Sequence, residues 1–212
     1  MFGGTFDPVH NAHLRVALDV LESGQLERLH LVPCHVPPHR GDPEVTAEQR
    51  LAMLRRGVGG VPGFRVDDRE LRRNGPSYTL DTLHSLRDDD PDATLCLLLG
   101  TDSFLSLPRW HRWEELAEVA HFVVLERPEH TLSLPDELEH WLRGREVSTW
   151  SALREALAGR VLFQSVTAMA ISATAIRERL RQGYSARFLL PDAVWDYIRD
   201  NGLYGVGAGG AG

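Results

Sequence analysis

An α/β fold, a doubly wound and mostly parallel sheet with helices on both faces and a small helical part at the C-terminal end, follows from three observations in the 212 residues. Short apolar runs of strand length alternate with stretches of helical periodicity. The clearest runs are continuous rather than alternating, as strands covered on both faces require. Loop-forming clusters follow the runs, and parallel sheets take ligands past the carboxyl ends of their strands.

Met1 and Phe2 lead into Gly3-Gly4-Thr5-Phe6-Asp7-Pro8, a loop composition. Leu14, Ala17, Leu18 and Leu21 then recur on one helical face, with Gly24 as the expected C-terminal cap. Residues 29–32 form a buried strand that opens into a Pro-rich loop, 33–43. Thr46 and Gln49 make a capping box for a helix through Arg56, and 64–66 is a weaker strand. Ser77 or Thr79 is expected to cap a helix reaching Leu86, followed by a solvated acidic turn at Asp88-Asp89-Asp90. Residues 94–99 are the strongest strand and end at Gly100-Thr101-Asp102. A helix over 113–120, a strand over 122–125, helices over 135–142 and 151–157, and a strand over 161–163 continue the alternation. Ser172 caps a helix through Arg181 closed by Gly183, and a last helix over 192–201 is closed by Gly202. One domain over 1–204 is expected, with a flexible Gly/Ala tail over 205–212. The tail matches the dinucleotide-binding glycine spacing, but no helix follows it, so the match is rejected.

Composition narrows the chemistry. All 23 basic residues are arginine, which removes the Walker lysine, the Schiff base and the Ser-x-x-Lys centre. The formal net charge of −7 argues against a nucleic-acid or anionic-membrane partner, so any phosphate must be held in a local basic pocket. Cys34 and Cys96 are too few and too far apart for a disulfide framework or a zinc site, and with no leader or membrane span the chain is expected in the cytoplasm.

Two clusters carry the functional reading. Gly3, Gly4, Thr5, Phe6 and Asp7 precede a helix start, where backbone amides and the positive helix end can face a phosphate. His10 and His13 add two imidazoles on one face. A plain turn followed by surface histidines is the alternative, and a metal pair lacks a third ligand. Later, Ile171-Ser172-Ala173-Thr174-Ala175-Ile176-Arg177 brings two hydroxyls and a guanidinium to a second helix start. Capping alone would also explain Ser172.

These stretches resemble the nucleotidyltransferases that carry a His-x-Gly-His signature and a late Ile-Ser-x-Thr-x-x-Arg, a Rossmann-like superfamily. Pro37-Pro38-His39-Arg40, Pro76-Ser77-Tyr78-Thr79, Gly100-Thr101-Asp102, Leu107-Pro108-Arg109-Trp110 and Arg127-Pro128 follow in the order found in nicotinate-nucleotide adenylyltransferases. The resemblance implies transfer of AMP from ATP to nicotinate mononucleotide, with Mg2+ held by the ATP phosphates and no protein metal cage. It implies that residues 3–7, His10 and His13 hold the ATP phosphates, together with Ser172, Thr174 and Arg177. Asp102 would meet a ribose hydroxyl, Trp110 would stack on the pyridine ring, and Tyr78 and Thr79 would recognise its carboxylate. His39, Arg40 and Arg127 would hold the mononucleotide phosphate. Residue by residue, Asp102 capping a helix, Trp110 in a core and Arg127 paired with a neighbouring glutamate remain alternatives.

The chain departs from the pattern twice. Ala12 stands where the signature has glycine, and only Met1 and Phe2 precede the glycine pair, too few for a central strand unless the start lies upstream or the chain is shortened. A nicotinamide mononucleotide or pantetheine-phosphate enzyme of the same fold and a non-catalytic nucleotide-binding regulator stay open as rivals. So does the choice between monomer and homo-oligomer.

Overall fold

The computed structural model describes residues 1–35, 42–73, 75–126 and 133–207. His39, Arg40 and Arg127, three of the sequence-derived candidates, lie outside them, as does the tail from residue 208. In chain order the described residues form β1 (Phe2–Gly4), α1 (Asn11–Ser23), β2 (Leu29–Pro33), α2 (Ala47–Val58), β3 (Phe64–Val66), α3 (Thr79–Asp89), β4 (Cys96–Gly100), α4 (Thr101–Leu105), α5 (Leu116–Val119), β5 (His121–Glu126), α6 (Asp136–Leu142), β6 (Glu146–Val147), α7 (Trp150–Leu153), β7 (Val161–Ser165), α8 (Ala173–Arg181) and α9 (Asp192–Asp200). The α/β alternation read from the sequence is the one observed. Two compact units result: Met1–Gly3 with Ser77–Thr167, and Gly4–Pro76 with Ala168–Gly212.

In the first unit the strands run in the order β1-β4-β5-β7-β6 and pair in parallel. Short as it is, β1 is a strand: Phe2 pairs with Leu98, the Met1 carbonyl accepts from the Leu98 amide at 2.9 Å, and the terminal amine donates to the Cys96 carbonyl at 2.7 Å. The glycine pair expected in a loop therefore belongs to this strand. Phe122, Val124, Leu97, Leu99, Phe104 and Leu116 form the core of this unit, with Trp113 and Trp141 at its edge.

In the second unit β2 and β3 pair in parallel from Leu29↔Phe64 to Leu31↔Val66. The Cys34 amide, just past β2, donates to the Gly4 carbonyl at 3.0 Å. Leu29, Leu31, Val20, Met53, Leu54, Val194 and Ile198 are its buried apolar residues. Among the described residues no helix is long and apolar enough to cross a membrane.

Element ends show where local signals sufficed. The Thr46–Gln49 capping box has both of its hydrogen bonds, and Ser172 accepts from the Ala175 amide at 3.2 Å. Gly183 and Gly202 take the left-handed conformation expected past α8 and α9. Gly24 ends α1 with φ −79°, and the left-handed residue is Gln25. Glycine is needed at 24 for space: a Cβ there would lie 2.8 Å from the Val20 carbonyl oxygen. Neither Ser77 nor Thr79 caps α3, whose N-cap is Tyr78 without a side-chain bond. The acidic turn is exposed as expected, though Asp88 and Asp89 still belong to α3. The helix expected over 151–157 stops at Leu153, because Arg160 takes the Ala152 carbonyl and His121 Nε2 lies 2.9 Å from the Ala156 carbonyl. A short α4 and the two-residue β6 had no sequence reading.

Candidate active site

Residues 5–10 and His13, a candidate cradle for phosphate, lie within the second unit. Residues 5–10 leave β1 and reach α1 through Phe6, a non-glycine residue at φ 51°, and a cis Asp7–Pro8 peptide. A buried side chain in the left-handed region is costly unless its surroundings hold it. Here Phe6 is 2% exposed and its ring meets His13 edge-on at 5.2 Å. The same ring would lie 3.1 Å from a Cβ on Gly4, so glycine there makes room for Phe6.

His10 is the N-cap of α1, and its ring stacks on His13 at 3.7 Å and 20°. The expectation of one helical face required the helix to have begun by His10; it begins at Asn11 and His10 is extended, so the stack is set by the entry to the helix and not by helical spacing. His10 is 4% exposed, and its Nδ1 has no hydrogen-bond partner among the described residues. Burial pulls its pKa down to about 4, so the ring is neutral near pH 7 and offers one N–H donor.

Asp7 ties this loop to the rest of the unit. Its carboxylate accepts from the Tyr204 hydroxyl at 2.7 Å and from the Glu44 amide at 2.9 Å. Burial, and then Asp7 itself, push the Tyr204 phenol up, which keeps its donating proton in place. The Asp7 carbonyl accepts from Arg177 Nη1 at 2.8 Å. The late arginine thus reaches the opening loop across 170 residues of sequence. Ser172 and Thr174 stand exposed at the start of the helix that carries it. Arg177 Nε also donates to Glu44 at 2.6 Å, and Arg181 to the same carboxylate. Burial alone would raise the Glu44 carboxyl, but the two guanidinium groups outweigh it and hold it below the usual range.

Arg50 went unnoticed in the sequence. It is 1% exposed and donates to the carbonyls of Thr5 and Cys34 at 2.7 Å and of His35 at 3.2 Å, which fixes the start of the cradle to the exit of β2. The signal was there: an arginine at the spacing of Met53, Leu54 and Val58 on the apolar face of α2. Glu44 and Tyr204 carried no such signal.

The other candidates lie in the first unit. Gly3 is exposed in β1. Tyr78 stacks on His111 at 4.3 Å and 28°, next in sequence to Trp110. Trp110 is partly buried against the core of this unit, ending the short turn Leu107–Arg109, so it is neither a full core residue nor a free loop side chain. Thr79 is the first residue of α3. Asp102 is exposed in the first turn of α4 and makes no cap, since Gly100 is the N-cap. Among the described residues no group of three or more His, Cys, Asp or Glu side chains could hold a metal ion.

A parallel α/β fold with a glycine strand end, a stacked histidine pair and an arginine from a distant helix defines the class as cytidylyltransferase-like, and the model of the cytidylyltransferase-like family matches residues 1–179. A protein of Chromohalobacter salexigens named "Probable nicotinate-nucleotide adenylyltransferase" is 50% identical over 206 residues, covering 96% of this chain and 94% of that protein. Another, of Pseudomonas syringae pv. tomato, is 53% identical over 205 residues, covering 96% and 92%. The chain belongs to the nicotinate-nucleotide adenylyltransferase family. The Plasmodium falciparum nicotinic acid mononucleotide adenylyltransferase, solved in complex with NaAD, matches it with a TM-score of 0.74 at 17% identity, over 97% of this chain and 96% of that one, and shares its fold.

Proposed function

We propose that this enzyme transfers the adenylyl group of ATP to nicotinate mononucleotide, giving nicotinate adenine dinucleotide and pyrophosphate. The observation that carries the site reading is the convergence, inside one unit, of the residue 5–10 loop, the His10–His13 stack and Arg177 at the Asp7 carbonyl. Residues 3–7, His10, His13, Ser172, Thr174 and Arg177 hold the triphosphate in this reading. Trp110, Tyr78 and Thr79 take the nicotinate ring, Asp102 a ribose hydroxyl, and His39, Arg40 and Arg127 the acceptor phosphate.

An oxygen of the acceptor phosphate forms a bond to the α-phosphorus while the bond from that phosphorus to the pyrophosphate oxygen breaks, and pyrophosphate leaves with the electron pair. The attacking monoester is already anionic near neutral pH, so no general base is needed. What the protein supplies is alignment and donors to oxygens that gain charge. Neutral His10 donates without demanding a counter-charge, His13 stacked on it adds a second imidazole, and the α8 start and Arg177 act on the leaving side. Magnesium bound to ATP would be held by phosphate oxygens and water and would supply neutralisation of phosphate charge. One catalytic domain over 1–204 is part of the same reading. So is a cytoplasmic location, supported by the free thiols Cys34 and Cys96 and by the use of ATP.

Pyrophosphate release from ATP, measured with nicotinate mononucleotide, nicotinamide mononucleotide or phosphopantetheine as acceptor, tests the proposal. Release is expected with the first; release with only the last overturns it. His13→Ala is expected to remove on the order of 3 kcal/mol of transition-state stabilisation with little change in nicotinate mononucleotide binding. Unchanged turnover would reject that role.

A further inference from the structure

Glu44 lies in the segment before α2 and belongs to no sequence motif, yet three bonds converge on it. Its backbone amide holds the Asp7 carboxylate at 2.9 Å, and its side chain accepts from Arg177 Nε at 2.6 Å and from Arg181. Arg177 closes the circuit by donating Nη1 to the Asp7 carbonyl. Two of the three guanidinium nitrogens of Arg177 are therefore fixed by acceptors 133 and 170 residues away in sequence. A guanidinium is planar, so fixing Nε and Nη1 also fixes the direction of Nη2. Among the described residues Nη2 has no protein partner.

Charge does not explain the arrangement. Asp7 and Glu44 set two carboxylates against Arg177 and Arg181, so this corner offers a triphosphate little net positive charge. A carboxylate on a phosphate-binding arginine weakens its pull on ATP through space, and such a contact is useful only if direction matters more than attraction. The Arg177 side chain is 18% exposed and that of Glu44 33%, so the pair is shielded more than an open surface bridge.

We propose that Glu44 is a positioning residue for adenylyl transfer: together with the Asp7 carbonyl it locks the guanidinium plane of Arg177 so that Nη2 faces the triphosphate. This rests on the reading of Arg177 as a phosphate ligand. Steady-state kinetics on the full chain test it, with Glu44→Ala, Glu44→Gln, Arg177→Ala, the double variant Glu44→Ala/Arg177→Ala, and Arg181→Ala, each assayed below its own melting midpoint. Glu44→Ala should lower kcat by about tenfold or more with KM for ATP held within about threefold, since loss of alignment acts on the reaction step. Glu44→Gln keeps an oxygen for Nε and should restore most of kcat, and Arg181→Ala should leave kcat unchanged. The double variant should be no slower than Arg177→Ala, because both changes break one interaction.

A wild-type kcat in Glu44→Ala beside an impaired Arg177→Ala overturns the role of Glu44 alone. Additive losses in the double variant also overturn it. So does a large fall in KM for ATP at full kcat, which would make Glu44 a competitor of the triphosphate. A wild-type kcat in Arg177→Ala removes the underlying reading of Arg177 itself.

Discussion

His10 shows how one buried side chain can carry a cost in stability. Its folded pKa of about 4 lies below the unfolded value of about 6.5, so between those values the unfolded chain binds the proton that the folded chain refuses. Stability is complete above about pH 6.5 and falls as the pH drops towards 4, by up to about 3 kcal/mol from this group. Buried His121 is shifted in the same direction, first by burial, and adds to the slope. Denaturant unfolding of His10→Gln between pH 4 and 7 should show a shallower dependence than the parent; an identical slope would mean that His10 is not the group being titrated. At Gly4, alanine should cost about 1–3 kcal/mol and lower turnover, because its methyl meets the Phe6 ring at 3.1 Å. Wild-type melting and activity in that variant would show that Phe6 moves aside freely. His10, His13 and Arg177 were legible as residues because each sits in a motif. Arg50 had a local signal, its place on the apolar face of α2, but its partners, 15–45 residues away, were not legible, nor were Glu44 and Tyr204, whose partners lie 37–137 and 197 residues away.

Helix caps separate structure from chemistry at the level of elements. Thr46 and Ser172 each cap a helix through a hydrogen bond to a backbone amide three residues on. Replacing either with alanine should cost about 1 kcal/mol of stability. Only Ser172→Ala should also weaken ATP binding, read as a rise in KM for ATP; equal KM values in the two variants would reduce Ser172 to a cap. These caps were legible because a capping bond is local, spanning three residues. Ser77 and Thr79 carried the same composition signal without the geometry, and α3 begins at a residue with no side-chain cap. α7 ended early for the opposite reason, its Ala152 carbonyl drawn to Arg160 and the Ala156 carbonyl beyond it lying against His121. The β2–β3 pair carries an acid-sensitive tie of the same long-range kind. Burial would raise Asp67, but His30 and Arg69 outweigh it and hold it well below the usual carboxylate range. Its contribution is present above the unfolded carboxyl pKa of about 3.9 and is lost as the pH falls below it.

At the scale of the whole molecule, each unit has its own fully buried apolar residues. Phe122 is fully buried at the centre of the first and Leu31 in the second. Phe122→Ala should cost about 3–5 kcal/mol and Leu31→Ala about 2–5 kcal/mol by transfer and cavity formation, measured as a lowered unfolding midpoint. Losses below about 1 kcal/mol in both would contradict the packing described. The sequence by itself determined the α/β alternation, most strand positions and the caps of α2 and α8, because each depends on neighbours within a few positions. Tertiary structure alone decided that the glycine pair belongs to β1, that Arg177 reaches the Asp7 carbonyl, and that Arg50, Glu44 and Tyr204 hold the cradle. Those are contacts between distant segments, and a linear pattern of polarity records what a residue is without recording what folding will bring to it.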